Sequence, residues 1–148
     1  MSETISSFLT KDHRDCDEEF AVLENTVASE NWTEVEKVFG KFTSDLQHHF
    51  DMEEKVMFPT FEERTGMSGG PTQMMRMEHQ QMLQILSQMK DDVASKNKDH
   101  FFGLSETLMM LMQQHNMKEE QMLYRMADNH LGEDSGLVVT QMKDLERV

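Results

Sequence analysis

Four stretches of the sequence place apolar side chains at steps that alternate four and three residues, and that rhythm commits the chain to helices packed side by side. Leu9, His13, Cys16, Phe20, Leu23 and Val27 form the first stripe. Val35, Phe39, Phe42, Leu46, His49, Glu53 and Val56 form the second. Met75, His79, Met82, Leu86, Met89 and Val93 form the third; Phe101, Ser105, Leu108, Met112, His115, Glu119, Met122 and Met126 form the fourth. Residues off the stripes are mostly charged or amide-bearing, as solvated helix faces should be. Helix-end signals stand between the stripes. Asn31 with Glu34 three residues on is a capping pattern, and Asn97 or Asp99 can cap the fourth helix. Pro59 is expected to kink or end the second helix, because it lacks an N–H and crowds the carbonyl four residues back. Residues 64–70 (RTGMSGG) read as a loop, and Pro71 suits the first turn of the third helix. The short connections predict an all-α, up-down-up-down four-helix bundle in a single domain, 1–148, with its core over about 4–130. In the extension, 131–148, LGEDSG breaks the chain and Leu137–Arg147 is expected to form a short fifth helix of no evident function.

Within the apolar stripes the intruders are four histidines and two glutamates. His49 and Glu53 are four residues apart, as are His115 and Glu119, which puts each pair on one helix face. His13 and His79 stand alone on the first and third stripes. One offset relates all of them: 79 − 13, 115 − 49 and 119 − 53 each equal 66. The same shift carries Leu9 to Met75, Cys16 to Met82, Phe20 to Leu86 and Val27 to Val93. The chain therefore reads as two helix pairs related by a pseudo-two-fold, each supplying His and then His-x-x-x-Glu.

Two carboxylates taken into an apolar core cost several kcal/mol each unless compensated, and no stripe offers Lys or Arg. A pair of cations compensates them. Four imidazoles give each of two metals two nitrogens, and the carboxylates can bridge; such a mixed N/O set suits iron first, then manganese or zinc. The expected metal ligands are His13, His49, Glu53, His79, His115 and Glu119. His48, His100 and His130 lie off the stripes and read as surface residues. Glu54 and Glu120 point about 100° away from the ligands they follow and suit supporting contacts. Cys16 reads as a small buried hydrophobe beside His13, and Tyr124 as packing, its counterpart at the same offset being Phe58 (124 − 66).

Composition narrows the remaining choices. The 28 acidic against 14 basic residues give a formal net charge of −14, which disfavours nucleic acid and anionic membrane as partners. Cys16 is the only cysteine, which excludes an internal disulfide and a cysteine-based zinc site. With no secretory signal and no long apolar run, a cytoplasmic protein is expected.

At these residues, from DHRD around His13 through HFDMEEKVMFP to HNMKEEQMLY around His115, the chain resembles the hemerythrin-like, or HHE cation-binding, family. The resemblance implies a bundle holding two irons, bridged by Glu53 and Glu119 and by an oxo, hydroxo or water ligand. His13 and His49 would serve one iron, His79 and His115 the other. The oxygen carriers of that family place a further histidine where this chain has Met75. Their second bridging acid falls five residues after its histidine, whereas Glu119 falls four after His115. The four-His, two-Glu set is more similar to the di-iron proteins linked to iron–sulfur repair under nitrosative stress. Binding or sensing of dioxygen or nitric oxide is expected first. Redox catalysis on peroxide or nitric oxide, or iron handling, is the alternative.

Overall fold

A computed structural model describes residues 3–147, and among them there is no strand. Helix α1 spans Ile5–Ala28 and α3 spans Pro71–Ser95. Helices α2 (32–65) and α4 (98–131) are each built from three segments. In α2 these are Trp32–Met52, a wide π turn at Glu53–Met57, and Phe58–Thr65; in α4, Lys98–Lys118, a π turn at Glu119–Leu123, and Tyr124–Leu131. A fifth helix, α5, covers Ser135–Lys143. It starts two residues before the expected 137 and stops four before 147.

The predicted caps form. Asn31 accepts from the backbone N–H of Glu34, and Asn97, rather than Asp99, accepts from that of His100. The α1 N-terminus is held from across the fold: the Asp128 carboxylate accepts from the N–H groups of Ile5 at 3.0 Å and Ser6 at 3.1 Å, and from the Ser135 hydroxyl. Helix α2 stops at Gly66, whose φ of 75° supplies the left-handed residue that ends many helices.

Pro59 does not end α2. The turn before it is widened, so that the Phe58 N–H bonds to the carbonyl of Glu53, five residues back, and the helix continues to Thr65. The same widening recurs in α4, where the Tyr124 N–H bonds to the Glu119 carbonyl. Each π turn inserts one residue into the helical count and rotates the downstream residues by about 100°. The straight stripes predicted for Val56, Met122 and Met126 are therefore wrong by one position. Val56 and Met126 are half-buried and Met122 is 60% exposed, whereas Met57, Phe58, Leu123, Tyr124 and Ala127 are buried.

The remaining stripe positions all face inward. They form two apolar clusters. One, toward the 29–31 and 96–97 turns, centres on Phe20, Phe42, Leu86, Phe101 and Leu108. The other, at the opposite end, centres on Ile5, Leu9, Phe58, Phe61, Leu123 and Leu131 and is closed by Val138, Val139 and Met142 of α5. Covering that end of the core is thus what α5 does. Burying each such side chain contributes about 1.5–3 kcal/mol, so the polar residues between the clusters sit in a rigid frame. No helix among the described residues is long and apolar enough to cross a membrane.

Candidate metal centre

All six predicted residues meet between the two apolar clusters, each at most 4% exposed. His13 on α1 and His49 on α2 bring their rings to 4.6 Å between centroids; His79 on α3 and His115 on α4 do so at 4.9 Å. The glutamates stand between these pairs. Glu53 Oε1 lies 3.5 Å from His49 Nε2 and 3.1 Å from His79 Nε2. Glu119 Oε1 lies 3.1 Å from both His13 Nε2 and His115 Nε2. Each carboxylate therefore touches one imidazole of either pair. Donor atoms of Glu53, His79, His115 and Glu119 are close enough together to hold one metal ion, as are those of His13, His49 and Glu119.

A second ring of carboxylates fixes the imidazoles. Nδ1 of His13 meets Glu120 at 2.7 Å, and Nδ1 of His49 meets Asp12 at 2.6 Å. Nδ1 of His79 meets Glu54 at 2.6 Å, and Nδ1 of His115 meets Glu78 at 2.8 Å. With its proton drawn to Nδ1, each ring turns the Nε2 lone pair to the centre, the arrangement that orients metal-bound histidines. The supporting role expected for Glu54 and Glu120 is realised. Asp12 and Glu78 escape the stripe pattern, although each directly precedes a lone stripe histidine and 78 − 12 is again 66. The remaining histidines stay outside: His48 is half-buried and bonds the Leu145 carbonyl, His100 bonds Asp92, and His130 is exposed.

Whether the cluster fits a cation is decided by its orphaned atoms. Nε2 of His49, His79 and His115, Oε1 of Glu53 and Oε2 of Glu119 are buried and make no hydrogen bond. Each such atom costs about 1–3 kcal/mol if nothing satisfies it. All are strong metal donors pointing at a shared space, so the donor set fits metal and fits poorly as a self-contained hydrogen-bond network. Without a cation, protons must take its place. Burial lowers the His13 imidazole, but its hydrogen bonds to Glu119 and Glu120 overcome that and raise its pKa to about 10. His79 reaches about 9, burial again being overcome, here by the Glu53 carboxylate 3.1 Å from Nε2 and by the Glu54 carboxylate bonded to Nδ1. Burial and then the Glu119 charge raise Glu53. Glu119 is held well below its ordinary value despite burial, chiefly by His115.

Tyr124 departs from its sequence reading. It is fully buried as expected of packing, but its hydroxyl lies 2.8 Å from Glu53 Oε2, 3.0 Å from Glu119 Oε1 and 3.1 Å from His13 Nε2. The π turn at Glu119–Leu123 is what rotates it into the centre. Its counterpart Phe58 carries no hydroxyl and stacks on His79 at 5.9 Å between centroids, so the pseudo-two-fold is broken at this position. Burial and then the charges of Glu119 and Glu53 push the phenol well above its usual range, leaving it a donor. Tyr124→Phe is expected to destabilise the metal-free protein by about 2 kcal/mol, the worth of a hydrogen bond to a charged group. Urea unfolding measures this, and a loss under about 0.5 kcal/mol would show that the hydroxyl carries no such bond.

The family described as hemerythrin HHE cation binding domain matches residues 4–127. An uncharacterized hemerythrin-like protein of Schizosaccharomyces pombe is 28% identical over 134 residues, which is 90% of this chain and 64% of that relative. The chain thus spans 64% of the length of the curated relative it matches. No solved structure matches it.

Proposed function

The chain belongs to the hemerythrin HHE cation-binding family, and on that premise we propose that its buried cluster holds two irons and uses them to bind or sense dioxygen or nitric oxide. In this reading His13 and His49 hold one ion, His79 and His115 the other, and Glu53 and Glu119 bridge them. The observation that carries it is the set of buried, unbonded Nε2 and carboxylate atoms, with each imidazole already anchored through Nδ1. Such irons would supply coordination positions and an electron reservoir for a small neutral molecule.

The residues around the cluster select for that kind of ligand. Leu9, Cys16, Met75 and Met82 are all buried and apolar, so they exclude water and disfavour charged ligands. Burial raises the Cys16 thiol, which keeps it neutral and makes it a wall. Met75 stands where an oxygen carrier would place a further imidazole, and a thioether is a weak ligand for hard iron. Redox catalysis on peroxide or nitric oxide is the second reading, and Tyr124 favours it by placing a buried O–H donor against both bridging carboxylates.

The test is optical. The iron-loaded protein, reduced without air, is expected to change its near-ultraviolet and visible bands on exposure to dioxygen or nitric oxide, with recovery when the gas is removed. No change with either gas sinks the binding reading; consumption of many equivalents per chain selects catalysis.

A further inference from the structure

The two halves share a core pattern but not a surface. Residues 79–89 and 107–117, the middle turns of α3 and α4, contain no Asp, Glu, Lys or Arg. Their counterparts 66 residues earlier carry Arg14, Asp15, Asp17, Glu18 and Glu19 on α1, and Lys41, Asp45 and Asp51 on α2. In place of charge, the outer face of α3 presents Met77, Gln81, Gln84 and Gln88, and that of α4 presents Met110, Gln114 and Met117, all exposed. Steps of three and four keep each set on one side of its helix. Three methionines among them are far from buried: Met77 is 58% exposed, Met110 60% and Met117 56%.

The two sets form one continuous face. Glu78 on α3 contacts both His115 and Lys118 on α4, which fixes the register, and Gln81 and Gln114 line the same small recess at the seam. Glu78, at that end of the face, is already paired with Lys118.

We propose that this neutral α3/α4 face is where the protein pairs with a second copy of itself. The occupant follows from the charge. Each chain carries −14, so two copies repel wherever their charged faces meet. The uncharged middle turns of α3 and α4 let another such body approach without desolvating like charges. A basic partner would instead be drawn to the acidic α1/α2 face and would gain little here. The residue types also suit a two-fold contact, in which side chains near the axis meet their own copies. A carboxylate or an ammonium meeting itself repels. A glutamine amide carries both donors and an acceptor and can pair with itself, and methionine packs adaptably against methionine. Loss of charge and enrichment of methionine are the marks of an interface centre.

The experiment is sedimentation velocity on the full, metal-loaded chain. A dimer is expected at about 50 µM, with association in the micromolar range. Its affinity is expected to rise as salt goes from about 50 to about 500 mM, because salt screens the repulsion between like-charged chains while the neutral contact is indifferent. Met110→Glu and Met110→Lys are both expected to weaken the dimer at least about tenfold, although they move the net charge in opposite directions. Val22→Glu on α1, where the side chain is 53% exposed, is expected to leave it unchanged. Circular dichroism and metal content verify that all three variants are folded and loaded. A wild-type chain that stays monomeric at every concentration and salt level overturns the proposal. So does a dimer that survives both Met110 variants, or one that Val22→Glu weakens equally.

Discussion

Glu53→Gln is expected to abolish binding of the metal pair while leaving the metal-free fold as stable as before, or more so. The two halves of that result have one cause. Glu53 is fully buried, and burial together with the nearby Glu119 charge raises its pKa, so a neutral side chain there relieves both the desolvation and the repulsion. Glutamine has the size and neutrality of the protonated acid, and its amide oxygen can still accept from Tyr124. Removing one partner of a well-matched buried ion pair destabilises, but here the neutral amide relieves the desolvation of Glu53 and its repulsion by Glu119, so a change between zero and a gain of about 2 kcal/mol is expected. With metal the sign reverses. Glu53 touches an imidazole of each pair, so under the proposed function its loss would remove a bridging anion from both ions and is expected to lower affinity by at least about a hundredfold. Metal content and urea unfolding of metal-free protein, measured on the same preparations, test both halves. A variant that keeps two ions, or whose metal-free form loses more than about 2 kcal/mol, contradicts this role for Glu53.

Removing the metals from the wild-type chain is the second large effect. Ligands that bind only the folded state stabilise it by about 4 kcal/mol per site at a thousand times Kd, so the two ions proposed would give about 8 kcal/mol. For a chain of this size that corresponds to roughly 15–30 °C in Tm. The effect depends on pH in a definite direction. In the metal-free protein His13 and His79 have pKa values raised to about 10 and about 9, above their ordinary 6.5. The stability those protonated rings contribute is fully present below about 6.5 and is lost as pH rises through 9 to 10. Metal must displace the same protons, so its affinity rises with pH over that window. Raising pH from 6.5 toward 9 is therefore expected to weaken the metal-free protein and to widen its gap from the loaded one. Thermal scans with and without chelator read both. A gap that narrows over that range would show that metal does not compete with these protons.

The bundle is legible in the sequence because the four-and-three rhythm reports burial directly, and the six polar intruders break it at positions linked by a single offset. The features that escape are set by backbone geometry that the rhythm presumes to be uniform. A straight helix carries the stripe from Glu119 to Met122 and Met126, but the π turn adds one residue and turns Tyr124 inward instead. Nothing in the letters EEQMLY marks an i to i−5 bond, although the Glu-Glu pairs at 53–54 and 119–120 stand at the start of both turns. Pro59 misleads for the same reason: in a regular helix it ends the run, whereas beyond a widened turn the helix goes on. The carboxylates behind the histidines divide similarly. Glu54 and Glu120 are visible as neighbours of ligands. Asp12 and Glu78 adjoin ligands too, but ahead of them and off the stripes, and all four carboxylates sit on a different helix from the histidine they orient, a relation that only the packing of the helices reveals.

The most direct test is the iron content of the chain after anaerobic reconstitution with ferrous iron and removal of excess, determined by mass spectrometry of the intact folded protein. Two irons per wild-type chain, with no paired iron in Glu53→Gln, is the predicted result. No bound iron in the wild type, or an equal amount in the variant, would show that the buried cluster is not an iron site.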